Sequence, residues 1–204
     1  NLHPHSPALA ISSTGSGWQI RTATGTVTAP NVLLAAGGYL HGLEPAVDAR
    51  VMPINNYIAV TAPLGATRAD ALIRGGLAVS DSRFVVYYYR MTAAHRLLFG
   101  GGERYSYRFP KDIAGFGRPH LARVFPQLAD VAIDYAWGGT LSITATRLPF
   151  IRQVRRGVYN VSGLSGLGVV LAPYFGRIIG DAIAGGHADF DRLARLPVPR
   201  LPGG

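Results

Sequence analysis

Val158-Tyr159-Asn160-Val161-Ser162 runs directly into Gly163-Leu164-Ser165-Gly166-Leu167-Gly168, and residues from Val169 to Gly185 follow at helical spacing. The order reads as a short β-branched strand, a glycine-rich turn, and a helix closed by Gly185-Gly186. Glycines let a backbone turn tightly and let another group approach it closely. The helix aims its unpaired N–H groups and the positive end of its dipole back into the turn. That arrangement suits something electron-rich: a phosphate, a carboxylate, or a flavin carbonyl and its reduced N1. The same glycines would equally serve close packing of helix on strand, and the residues alone leave both readings open.

Other chemistry is scarce. The six histidines form no HExxH motif and pair with no carboxylate in the sequence, so a metal site is not expected. With no cysteine in the chain, disulfides and thiolate metal sites are excluded. Gly163-Leu164-Ser165-Gly166 lacks the spacing of a nucleophile elbow, and neither Ser162 nor Ser165 has an evident base. An enzyme built on this chain needs a cofactor to carry the chemistry. Tyr88 and Arg90 alternate onto one face of an extended run, with Tyr87 and Tyr89 on the other. Arg90 among tyrosines reads either as a substrate-orienting group or as the cap of a sheet edge.

The composition is 48% hydrophobic and 15% charged over 204 residues, which is globular and long enough for a substantial core. The net charge of +9 raises the question of nucleic acid. However, Lys111 is the only lysine, the arginines are scattered, and no basic-aromatic stripe is present. A basic binding module is therefore the weaker reading, and no nucleic-acid partner is expected. No apolar run is long enough for a membrane span. The chain starts at Asn1 without a signal-peptide pattern. A cytoplasmic location and a fragment whose beginning is missing are the expectations.

The elements that must position the glycine turn follow from pattern. Ala8–Ile11, Trp18–Arg21 and Gly25–Thr28 read as a β-meander. Asn31–Ala36 is a continuous apolar run, expected as a strand buried on both faces, and it stops at Gly37-Gly38-Tyr39. Val51–Pro63 is extended, Arg68–Arg74 a short helix closed by Gly75-Gly76, and Phe84–Arg90 and His95–Gly100 neighbouring strands. Within Pro110–Leu128 the regular helix is expected mostly after Pro119, because Gly115, Gly117 and Pro119 interrupt the earlier part. Val131–Ala145 is extended. Phe190–Gly204 reads as an irregular strap.

Several stretches in order resemble the flavin amine oxidases of the D-amino-acid-oxidase superfamily, and within it the gamma-glutamylputrescine oxidoreductase subgroup. Asn31-Val32-Leu33-Leu34-Ala35-Ala36-Gly37-Gly38-Tyr39-Leu40 resembles the family strand that ends under the cofactor diphosphate. Val51-Met52-Pro53-Ile54 and Ala62-Pro63-Leu64-Gly65 fit the next segment. Tyr89-Arg90-Met91 with His95-Arg96-Leu97-Leu98-Phe99-Gly100-Gly101, and Val124-Phe125-Pro126-Gln127-Leu128 leading to Asp134-Tyr135-Ala136-Trp137-Gly138-Gly139, are specific matches. Ser162 to Val169 resembles the family's G-x-S-G-H-G-V loop, with Leu167 in place of its histidine. The ending from Phe190-Asp191 is similar to the subgroup's terminus.

The resemblance implies a mixed α+β and α/β fold. Pieces of a Rossmann-like FAD-binding domain (1–42 and 150–204) would bracket an antiparallel-sheet substrate domain (43–149). It implies FAD, with Ala36, Gly37, Gly38, Gly139, Gly163, Leu164, Ser165, Gly166, Leu167, Gly168 and Val169 on the cofactor side. Tyr57, Tyr88 and Arg90 fall on the substrate side. It implies oxidation of a small-molecule amine by hydride transfer to the flavin, the imine then hydrolysing and the electrons passing to oxygen or another acceptor; no catalytic base is assigned. Three departures stand out. The G-x-G-x-x-G strand–turn–helix and its ribose-binding acid are missing, so an N-terminal FAD-binding segment is the expected partner and the fragment is expected to be inactive alone. Tyr87 replaces the subgroup's acidic residue. Thr140-Leu141-Ser142 stands where amino-acid-specific members often carry a carboxylate-gripping arginine. The alternative is a non-catalytic truncated paralogue without flavin.

Overall fold

The computed structural model describes residues 1–186 and 188–202. In chain order the elements are β1 (Ala10–Ser13), β2 (Trp18–Arg21), β3 (Thr26–Ala29), β4 (Val32–Leu34), α1 (Pro45–Asp48), β5 (Met52–Thr61), α2 (Ala66–Leu72), β6 (Ala78–Ser80), β7 (Tyr88–Met91), β8 (Leu97–Arg104), α3 (Ile113–Val124), β9 (Ile133–Ile143), β10 (Phe150–Arg155), β11 (Val158–Ser162), α4 (Gly168–Ile183) and α5 (Ala188–Ala194). They divide into two compact units, Asn1–Pro53 with Leu141–Gly204, and Ile54–Thr140. The boundaries between these units fall inside β5 and β9.

In the first unit β1-β2-β3 form the expected antiparallel meander, and β10-β11-β4 form a second sheet in which β11 and β4 are parallel. Alternation along β10 and β11 splits the core in two. Phe150 and Val158 pack with Trp18, Leu34 and Val198 on one face. Ile151 and Tyr159 pack on the other with Phe175, Ile178 and Ile179 of α4 and Phe190 of α5. β4 differs from expectation: it is short, and Leu33 is 42% exposed while Leu34 is buried. Leu33 pairs in register with Tyr159 and shares its face, but lies at the sheet edge beyond the ground that α4 and α5 cover.

The tail also differs. Its first part is α5, held by Phe190 against the Tyr159 ring at 5.7 Å between centroids. Beyond it the chain is a strap with partners: Arg152 donates to the Ala194 carbonyl, Arg50 Nε to that of Val198, and Leu201 N to that of Ala49. Gly203 and Gly204, counted above with the strap, and His187 lie outside the described residues.

The second unit is a sheet in the order β6-β7-β8-β5-β9, with antiparallel pairing from β6 through β5 and α3 over one face. Its core joins Tyr87, Leu97 and Phe99 of the sheet side to Leu121 and Phe125. α3 begins earlier than its glycines and proline suggest. Asp112 caps it by accepting from Gly115 N at 2.7 Å, and a Cβ at Gly115 would strike that carboxylate. Glycine there is part of the cap, and the capped first turn carries the helix through Pro119. The strand expected from Phe84 starts only at Tyr88, because the Asp81 carboxylate accepts from Arg83 N and Tyr87 N and folds the intervening residues into a loop. Its neighbour begins at Leu97 rather than His95, which has positive φ in the turn.

Candidate cofactor and substrate sites

The glycine turn is built on β11. Asn160 Nδ2, buried, donates to the Phe150 carbonyl and to Ser162 Oγ, fixing the strand end. Gly163 follows with φ +66°, and a Cβ there would lie 2.5 Å from Thr144 Cγ2. At Gly163, then, packing itself demands glycine. The next turns are held from Ser142: its Oγ accepts from Gly163 N and its carbonyl from Ser165 N, both at 3.0 Å. Ser165 is itself left-handed, with φ +50°. Gly166 is different. Its φ is +92°, and a Cβ would meet nothing within 4 Å. Its left-handed backbone lies beside open space, which leaves room for close approach of a ligand. Leu167 precedes α4 without a side-chain cap, and the first N–H groups of a helix, here Gly168 and Val169, have no intrahelical acceptor. Leu167 is 62% and Val169 95% exposed. Leu164 and Gly168 are half-buried.

Ala36-Gly37-Gly38 closes a comparable turn after β4, with Tyr39 N bonded to the Ala36 carbonyl at 3.0 Å and Gly37 at φ +57° facing open space. Ala36 packs on the core and Gly38 is buried. Because β4 and β11 are parallel, with Leu34 opposite Asn160, both glycine turns leave the carboxyl edge of the same sheet. That edge is where open α/β sheets bind their ligands. Gly139 belongs to the second unit, exposed on β9 with open space at its Cβ position.

The substrate-side candidates separate. Tyr57 is 1% exposed, with Phe116 of α3 at 4.5 Å and Phe109 at 6.0 Å between ring centroids, so it faces the core and burial raises its pKa. Tyr87 also faces α3, its hydroxyl 2.8 Å from His120 Nδ1. Tyr88 and Arg90 alternate to the opposite face. Arg90 is exposed; Tyr88 is half-buried over Gly100, burial raises its pKa, and its hydroxyl donates to Asn56 Oδ1 at 2.7 Å. β8 carries one extra residue at Gly101-Gly102 opposite Tyr57, which brings Glu103 onto the same face as Asn56. Sequence reading missed Asn56, which meets Tyr88, and Glu103, which stands opposite Asn56; both placements exist only through strand pairing.

Among the described residues no cluster of His, Asp or Glu is placed to hold a metal ion, and no helix is long and apolar enough to cross a membrane. The residues do fit a flavin nucleotide: the open side of Gly166, the uncapped start of α4 and the Gly37 turn share one sheet edge.

A family model described as FAD dependent oxidoreductase (DAO) matches residues 1–182. The chain is 42% identical over 204 residues to the probable oxidoreductase OrdL of Rhizobium meliloti (strain 1021), covering all of this chain and 47% of that protein. It is 38% identical over 186 residues to the gamma-glutamylputrescine oxidoreductase of Escherichia coli (strain K12), covering 91% of this chain and 44% of the relative. The chain thus spans about half the length of the curated relatives it matches. Among solved structures, glycine oxidase from Geobacillus kaustophilus superposes with a TM-score of 0.79 at 21% identity, over 100% of this chain and 54% of that one. Mixed α/β architecture with antiparallel sheets, a carboxyl-edge pair of glycine turns and the family match converge: the chain belongs to the DAO family of FAD-dependent oxidoreductases.

Proposed function

We propose that the whole protein containing this chain is a cytoplasmic FAD-dependent amine oxidoreductase acting on a gamma-glutamylputrescine-like amine. The observation that carries the reading is the turn from Gly163 to Val169. Three residues with positive φ, Gly163, Ser165 and Gly166, bring backbone and the N-terminus of a long helix to one edge of the sheet. Leu164 and Leu167 flank this surface, with Ala36, Gly37 and Gly38 on the adjoining turn. Bound FAD would supply the hydride acceptor for the carbon beside the substrate amine. The chain's own residues would hold the flavin's electron-rich edge with N–H groups and the helix dipole, which favour negative charge there. The diphosphate grip of a G-x-G-x-x-G unit would come from a segment outside these residues.

Substrate class turns on Leu141. An α-carboxylate beside the flavin needs a cation, since an unpaired buried charge costs several kcal/mol. The position where amino-acid-acting relatives often place arginine is a half-buried leucine here. The 38% identical gamma-glutamylputrescine oxidoreductase supports the same choice. Tyr88 and Arg90, on the open face of the second unit, would meet the remainder of the substrate; Tyr57 would support them from the core side. Anaerobic mixing of the purified whole protein with gamma-glutamylputrescine is expected to bleach the oxidised flavin band. Bleaching by free amino acids but not by that amine would overturn the reading and point to Arg90 as their carboxylate partner.

A further inference from the structure

The side of the second unit's sheet away from α3 carries side chains whose hydrogen-bond polarity is fixed by geometry. Glu103 on β8 stands opposite Asn56 on β5, so the two side chains share a face. The Gly102 carbonyl can only accept, so Asn56 must turn Nδ2 to it, at 3.0 Å. That leaves Asn56 Oδ1 toward Tyr88, and the Tyr88 hydroxyl must be the donor. With its one hydrogen committed, the Tyr88 oxygen offers only lone pairs. Its ring is held in place over Gly100, where any Cβ would meet it at 2.1 Å. Glu103 accepts from the Tyr105 hydroxyl at 2.7 Å, and among the described residues no arginine or lysine forms an ion pair with it. In a chain with 20 Lys and Arg against 11 acidic residues, this carboxylate has a phenol for a partner instead.

The Tyr88 oxygen and the Glu103 carboxylate thus both present acceptors, flanked by two phenol rings. That is the complement of a cation that can only donate. We propose that Glu103, Tyr88 and the Asn56 that orients it form a subsite for an alkylammonium group, the protonated amino group at the non-reacting end of the substrate. A neighbouring carboxylate holds an amine in its protonated form, which suits an anchoring amine and opposes oxidation of the same nitrogen. The place of this subsite in the reaction rests on the amine-oxidoreductase reading; its ligand chemistry does not.

The test uses the whole flavin-loaded protein and two probes that lack the reacting amine. Gamma-glutamyl-n-butylamide keeps the far ammonium, and N-butylglutaramic acid keeps the carboxylate but has no amine. Calorimetric titration is expected to show Glu103→Gln weakening the ammonium probe about tenfold, as loss of one charge-assisted contact implies, and the amine-free probe by less than about twofold. Glu103→Asp should fall between, with flavin content and melting temperature unchanged in both variants. Equal affinity of wild type and Glu103→Gln for the ammonium probe would overturn the subsite, as would a wild type that binds the two probes alike. If the probes discriminate as expected but no amine is oxidised, the subsite stands and the oxidoreductase reading falls.

Discussion

Gly163 and Gly166 lie three positions apart in one turn, and their surroundings differ in a way that a pair of substitutions can separate. Both have positive φ, so any side chain at either meets the left-handed penalty, roughly 1–2 kcal/mol. At Gly166 that is the whole cost, since an added Cβ meets nothing within 4 Å. At Gly163 the Cβ would also lie 2.5 Å from Thr144 Cγ2 and 3.3 Å from Phe150 N, inside buried packing. Overpacking of this kind adds about 1–3 kcal/mol, for a total of about 2–5 kcal/mol. Thermal unfolding of the whole protein should therefore show Gly163→Ala markedly less stable than Gly166→Ala. Flavin content should show the reverse order. Gly166→Val puts a branched side chain where, on the proposed reading, the cofactor would approach backbone, and is expected to purify with little flavin and a largely intact fold. Gly166→Val with stoichiometric flavin and normal turnover would make the turn a packing feature and refute the division. So would a Gly166→Ala protein as destabilised as Gly163→Ala.

Other expectations are independent of that turn. Residues 1–204 purified alone should stay colourless after incubation with FAD, because the chain holds no G-x-G-x-x-G grip for the diphosphate; a stoichiometric flavin spectrum would contradict this. Asp112→Ala removes the α3 cap and should cost about 1 kcal/mol in denaturant titration, with no change in flavin content. Burial, chiefly, and the nearby Arg123 lower the His120 pKa. The unfolded chain then takes up this proton first, so stability should be full above about pH 6.5 and fall as the pH drops toward the lower folded value. A His120→Gln variant should show a shallower acid slope, and an unchanged slope would remove His120 from the account.

Much of the fold was legible because local pattern and tertiary role agreed. The β-branched run at Val158–Ser162, the glycines and the apolar periodicity of α4 each point to strand, turn and helix without reference to distant residues. What stayed hidden depended on partners. Gly115 and Pro119 look like breakers until Asp112 is seen capping the helix through Gly115 N. Leu33 belongs to an apolar run, but only the strand order shows it at an edge. Ala188–Ala194 is too short a helix to announce itself, and its stability comes from Phe190 against Tyr159. On the substrate side, alternation predicted that Tyr88 and Arg90 share a face. It could not place Tyr57 toward α3, since that depends on which face of the sheet the helix covers. Nor could it bring Asn56 to Tyr88 and Glu103 opposite Asn56, for these residues are far apart in sequence and meet only across β5, β7 and β8.

The most direct measurement of the central proposal is kcat/KM of the whole flavin-loaded protein across gamma-glutamylputrescine-like amines and simple D- and L-amino acids. With Leu141 in place of a carboxylate-gripping arginine, the amines are expected to be at least roughly tenfold better substrates, about 1.4 kcal/mol in transition-state binding. A free amino acid turned over equally well or better would contradict the proposal.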